Sequence, residues 1–149
     1  MQRLDIEFPQ AQCLHRYALA VRISDINYGR HLGHDAIVGL LHEARAQAFE
    51  ALGHHEWDVA GHPSVVAELA IQYRSESRWG DALTAETAIP PVEGKALTVY
   101  QRLVRPADER TVAVARIGLV LLDPEQGRPV DVPASFNDAL AAAQRVGAR

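Results

Sequence analysis

Polar and apolar positions alternate from Cys13 to Ile23: Tyr17, Leu19, Val21 and Ile23 fall on one face, Arg16, Ala18, Ala20 and Arg22 on the other. A period of two predicts a half-buried strand. The period then changes. Ile37, Leu40, Leu41, Ala44, Ala48, Ala51 and Leu52 recur at helical spacing, while Asp35, His42, Glu43, Gln47 and Glu50 lie off that stripe. This predicts a helix from near His34 to about Leu52, closed by Gly53, with Asp35 favourably placed in its first turn. The small alanines suit a helix held closely against a sheet.

Alternation returns with Val65, Ala67, Leu69, Ile71 and Tyr73 on one face and Glu68, Gln72, Arg74 and Glu76 on the other. Three further strands follow over Ala82 to Ile89, Ala96 to Arg105 and Thr111 to Leu122, the last apolar on both faces and so interior. The turns at Gly80-Asp81, Pro90 to Gly94 and Pro106 to Glu109 are short, which implies antiparallel pairing. Ser135 followed by Asp138 resembles a capping box before a short C-terminal helix. No repeat or linker interrupts the chain. The expectation is one α+β domain over residues 1–149 with its core at about 13–136, in which a five-stranded antiparallel sheet curls around a long central helix.

Composition narrows the function. At 149 residues the chain suits one core, and 48% hydrophobic with 23% charged residues is ordinary for a globular protein. A formal charge of -4 argues against a general nucleic-acid binder. Cys13 is the only cysteine, so neither an internal disulfide nor a cysteine-based zinc site is possible. The mixed, charged stretch Met1 to Gln10 lacks signal-peptide character, and no apolar run approaches the ~20 residues that span a membrane. A cytoplasmic protein without a membrane partner is expected.

The densest chemistry lies in Asp25-x-Asn27-x-x-x-His31-Leu32-Gly33-His34. Asp25 and Asn27 point the same way if the segment is extended. His31 stands just before the helix, where the backbone N–H groups of Gly33, His34 and Asp35 project toward a developing oxyanion. Carboxylate, amide, imidazole and positive helix end within one loop form a plausible set for acyl transfer. Asp25 and Asn27 also suit plain Asx turns, His31 an ordinary loop position, and Glu43 a solvated helix face.

At these residues the chain resembles the hot-dog thioesterases of the 4-hydroxybenzoyl-CoA thioesterase type. The likeness rests on Arg22 to Leu32, on Leu40-Leu41-His42-Glu43-Ala44-Arg45, on Ala67 to Tyr73 and on Gly80-Asp81-Ala82-Leu83-Thr84. It spans about residues 14–136. The resemblance implies hydrolysis of an acyl-CoA or similar acyl thioester, with the carbonyl polarised by the central helix N-terminus. The family's catalytic aspartate falls on Asn27, and an amide is no general base. The resemblance offers Asp25, His31 or Glu43 for the role, with Asn27 orienting substrate or water. Two rival readings are a hot-dog enoyl-CoA hydratase, whose aspartate and asparagine match Asp25 and Asn27, and a non-catalytic acyl-thioester binder.

Arg74 and Arg78, with Arg102 and Arg105, are candidates for CoA phosphates. His31 with His34, and His54-His55 with His62, lack the ligand pattern of a metal site, so no metal or cofactor is expected. Hot-dog proteins pair sheets edge to edge, which implies a homodimer or homotetramer.

Overall fold

The computed structural model describes residues 3–147. Strand β1 (Cys13–Ala20) leads through a loop to helix α1 (His34–Ala51). β2 (Ser64–Tyr73), β3 (Ala82–Ala88), β4 (Ala96–Arg105) and β5 (Arg110–Leu122) follow, then β6 (Pro129–Val130) and α2 (Ala134–Gly147). The sheet runs β1-β3-β4-β5-β2, antiparallel at every junction, with β6 added to β5. The α+β layer expected from the patterning is therefore present, with six strands rather than five. A strand of two residues carries no periodic signal, and β6 forms only because the turn after β5 returns the chain to Leu121 and Leu122.

Ile37, Leu40, Leu41, Ala44, Ala48 and Phe49 bury one face of α1. All but Ala48 join one core with Leu97, Val99 and Leu103 of β4 and Ala113, Ala115 and Ile117 of β5, among others. Each fully buried Leu, Ile, Val or Phe contributes about 1.5–3 kcal/mol, so this stripe holds the helix in the curl of the sheet. Two details depart from the pattern: Ala51 is exposed, and Arg45 is buried. Gly53 follows the helix with φ +83°, the left-handed position that glycine accepts at least cost.

β1 ends earlier than its alternation implies. Ile23–Asp25 form a 3-10 turn and Ile23 is exposed. α2 is longer than expected and begins at Ala134, which puts Ser135 inside the first turn rather than at a cap. Its Phe136 stacks on Phe49 with ring centroids 5.7 Å apart. Asn137 exchanges two hydrogen bonds with the Val92 backbone, at 2.9 and 2.8 Å, and fixes α2 against the turn before β4.

Residues 3–10 cross the sheet strands at Gln72, Arg74 and Arg102. Ile6 is buried, its N–H donates to Gln72 and its carbonyl accepts from Arg74. No helix among the described residues is long and apolar enough to cross a membrane.

Candidate functional site

The loop between β1 and α1 is built by short polar bonds. The Asp25 carboxylate accepts from the Arg22 N–H and from Nε and Nη2 of the Arg22 guanidinium. These bonds hold its pKa below the usual carboxylate range. Both carboxylate oxygens are thus occupied, and the Asp25 carbonyl accepts the Gly33 N–H at 2.9 Å. Gly33 is therefore not an open donor, contrary to the reading of the loop as sequence.

Asn27 closes the next turn. Its Oδ1 accepts the N–H groups of Gly29 (3.0 Å) and His31 (3.3 Å), and its own N–H donates to the His31 carbonyl at 2.9 Å. Arg30 sits in the turn at φ +65°, an unusual conformation for a non-glycine residue that the Asn27 bonds sustain. Leu32 donates to the Ser77 carbonyl at 2.8 Å, which ties the loop to the segment after β2. His31 Nε2 lies 3.1 Å from a Glu76 carboxylate oxygen.

α1 starts immediately after. Gly33 is the N-cap in an extended conformation and makes no side-chain capping bond. The Ile37 N–H pairs with the Gly33 carbonyl, which leaves the His34, Asp35 and Ala36 N–H groups without an intrahelical acceptor. Tyr73 of β2 donates its hydroxyl to the His34 carbonyl at 3.0 Å. Burial, with the Asp35 charge second, raises the Tyr73 pKa. A Cβ on Gly33 would stand 2.7 Å from Asp35 Oδ1, so a side chain there requires the Asp35 carboxylate to turn aside.

Two clefts flank α1. One, of about 850 Å³, lies against β1 and gathers Arg22, Asp25, Asp35, Gly39 and Glu43. The other, of about 410 Å³, lies against β2, with Val38, Leu41, Arg45, Glu56, Val66 and Ile117 among its walls. Asp25, Asp35 and Glu43 thus share a cleft, while Asn27 and His31 cluster at the adjoining loop with Glu76. Glu43 is exposed and accepts from Gln47 at 3.1 Å.

The arginines divide. Arg74 donates to the Ile6 carbonyl and to Gln72. Arg102 pairs with Glu86 and stands over the Phe8 ring, and Arg105 pairs with Asp108. The Arg78 side chain has no hydrogen-bond partner among the described residues; only its main chain is engaged, with Asp81. Glu76 and the Arg45–Glu56 pair were not singled out in the sequence. Arg45 had a signal, since it continues the Ile37–Leu41 spacing of four inside the apolar stripe.

The family model of the thioesterase-like superfamily matches residues 21–140. The chain belongs to that superfamily. The probable thioesterase YbaW of Escherichia coli superposes with a TM-score of 0.74 at 22% identity, over 87% of this chain and 96% of its own. The 1,4-dihydroxy-2-naphthoyl-CoA thioesterase Slr0204 of Synechocystis gives 0.76 at 13% identity, over 85% and 94%. The Staphylococcus aureus protein SAV2348, solved in complex with CoA, gives 0.76 at 16% identity, over 90% and 85%. At these identities the likeness establishes the fold, which is the hot-dog fold. No curated protein matches the sequence.

Proposed function

We propose that the chain hydrolyses an acyl-CoA or a similar acyl thioester at the start of α1. The observation that carries this reading is the set of His34, Asp35 and Ala36 N–H groups that have no intrahelical acceptor among the described residues and follow the His31 loop directly in the chain. Donors fixed before reaction stabilise charge that develops on a carbonyl oxygen, each worth about 3 kcal/mol of barrier. His31 takes a proton from water, which attacks the thioester carbon. The oxyanion collapses and expels the thiolate, and the proton leaves with the thiol. Glu76 orients the imidazole. Asn27 shapes the turn that presents it, and its side-chain NH₂ is left to hold water or substrate. Asp25 anchors the loop through Arg22. Asp35 and Glu43 line the neighbouring cleft, and Arg78 meets CoA phosphates.

A homodimer fits this arrangement. β2 is an edge strand whose Val65, Val66, Leu69 and Tyr73 are exposed, and pairing with a second copy would cover them.

The test is thiol release over a panel of acyl-CoAs. Turnover by the wild type that collapses in His31→Ala supports the reading. The absence of a carboxylate at Asn27 favours one rival, an acyl-thioester binder. Thermal stabilisation by CoA without thiol release from any panel member decides for it.

A further inference from the structure

The cleft between α1 and β2 is apolar along most of its length and ionic at one end. Val38, Leu41, Val66, Leu69 and Ile117 form its walls. At the end lie Arg45 and Glu56, joined by a 3.0 Å bond from Nε to Oε2, with their side chains 8% and 15% exposed. The pair is incompletely satisfied. Arg45 uses only Nε among its donors, and Glu56 Oε1 is buried with no hydrogen-bond partner among the described residues. His42 Nε2 stands over that oxygen at 3.7 Å, beyond hydrogen-bond reach, on a side chain that is 65% exposed.

From this geometry we infer that the Arg45–Glu56 pair reads a hydroxyl group at the far end of the substrate's acyl group. The inference rests on the hydrolase reading only for where the thioester sits. Charge decides the type of group. Arginine and glutamate already neutralise each other, so a carboxylate or an ammonium brings an uncompensated charge into a buried place. A bare alkyl terminus leaves the buried Glu56 Oε1 unmet and displaces water from the spare arginine donors, which keep solvent access. A hydroxyl meets both, since it accepts from Arg45 Nη and donates to Glu56 Oε1 once His42 swings aside.

Direction supports the same assignment. β2 passes α1 so that Tyr73 meets His34 at the helix start, while Arg45 lies eleven residues further along the helix, roughly 16 Å at 1.5 Å per residue. An acyl group whose carbonyl lies at the helix N-terminus can follow the apolar walls to the ionic end. The pair is a specificity device and not part of the bond-breaking machinery.

The experiment compares ω-hydroxyacyl-CoA with the unsubstituted acyl-CoA over a series of chain lengths. It reads kcat/KM for hydrolysis, and Kd for non-hydrolysable thioether analogues. At its best length the wild type favours the hydroxylated member by at least about tenfold, because a site built around a hydroxyl rejects the analogue that lacks it. Arg45→Met and Glu56→Gln bring that ratio close to one. If Arg45→Met does not fold, Glu56→Gln carries the test, since it keeps the shape and removes one acceptor. A wild-type ratio near one at every length, or a ratio that survives in Glu56→Gln, overturns the inference. The thioether Kd values keep the two readings separate. A hydroxyl preference in binding without any hydrolysis sinks the hydrolase and sustains the pocket, whereas hydrolysis without hydroxyl preference does the reverse.

Discussion

The Asp25 carboxylate receives the Arg22 main-chain N–H at 2.8 Å and the guanidinium of the same residue at 2.9 and 3.1 Å. With only 4% of the Asp25 side chain exposed, this pair fixes the point where β1 turns into the loop before α1. Asp25→Asn is expected to lower stability by about 1–3 kcal/mol, the cost of weakening bonds to a buried charge. The effect has a definite pH dependence. Arg22 lowers the Asp25 pKa in the folded protein. The stabilisation is therefore complete above the unfolded value of roughly 3.9 and is lost as pH falls through the lower folded value. Melting temperatures of wild type and variant, measured against pH, should converge in acid. A gap that persists unchanged into strong acid contradicts the assignment.

His31 and Glu76 are in contact but unequal. His31→Ala removes the proposed base and should reduce kcat by about 10²- to 10⁴-fold. Glu76 is 74% exposed, and such a pair contributes under about 1 kcal/mol, so Glu76→Gln should cost only a few-fold. Thiol-release kinetics give both values. Equal losses would place Glu76 at the chemistry itself.

The parts of the fold legible in the sequence are those with a period. α1 showed itself through its apolar stripe, and β2 to β5 through alternation and short turns. The end of β1 did not, because Val21 and Ile23 continue the alternation while the Asp25–Arg22 bonds break the strand. The extent of α2 was hidden by Ala139, Ala141, Ala142 and Ala143, which give little contrast between faces. At the site, Asp25, Asn27, His31 and the helix start form one motif and were found together. Glu76 reaches His31 only through the folded sheet edge, and Glu56 meets Arg45 from a loop eleven residues away. Contacts of that kind leave no local pattern.

Asn27→Asp tests the loop directly. The replacement keeps an oxygen that accepts from Gly29 and His31, so the turn should survive with little change in melting temperature. It also supplies a carboxylate, which the resemblance to hot-dog thioesterases implies at this position. Hydrolysis should rise above the native rate. A well-folded variant with reduced turnover would show that the asparagine amide itself is needed.

Arg74 and Arg78 should separate in kinetics. Arg74 is committed to the Ile6 carbonyl and Gln72, so Arg74→Ala should lower the melting temperature and leave KM for acyl-CoA nearly unchanged. The Arg78 guanidinium has no such commitment among the described residues. Arg78→Ala should raise KM several-fold, and the difference from wild type should shrink as salt screens the exposed charge. A KM rise confined to Arg74→Ala reverses the assignment.

Gln101 interrupts the apolar face of β4 and is fully buried beneath α1. Its Nε2 donates to the Leu41 carbonyl at 2.9 Å and to Thr87 Oγ1 at 3.2 Å, while its Oε1 has no partner among the described residues. Two effects compete on substitution by leucine. Two hydrogen bonds are lost, each worth about 1 kcal/mol; the Leu41 carbonyl, inside the helix, keeps its helical donor, whereas the buried Thr87 hydroxyl loses the Gln101 amide. Removing the unpaired oxygen returns about 1–3 kcal/mol. The two terms are of similar size, so Gln101→Leu should fold with a stability close to that of the wild type. Gln101→Ala removes the same polar atoms but leaves a cavity, at a cost of about 2–5 kcal/mol by analogy with buried leucine truncations. Denaturant unfolding of the three proteins should therefore place leucine close to wild type and alanine well below. A leucine variant as weak as alanine would mean that Oε1 has a partner in solution, with buried water the natural candidate.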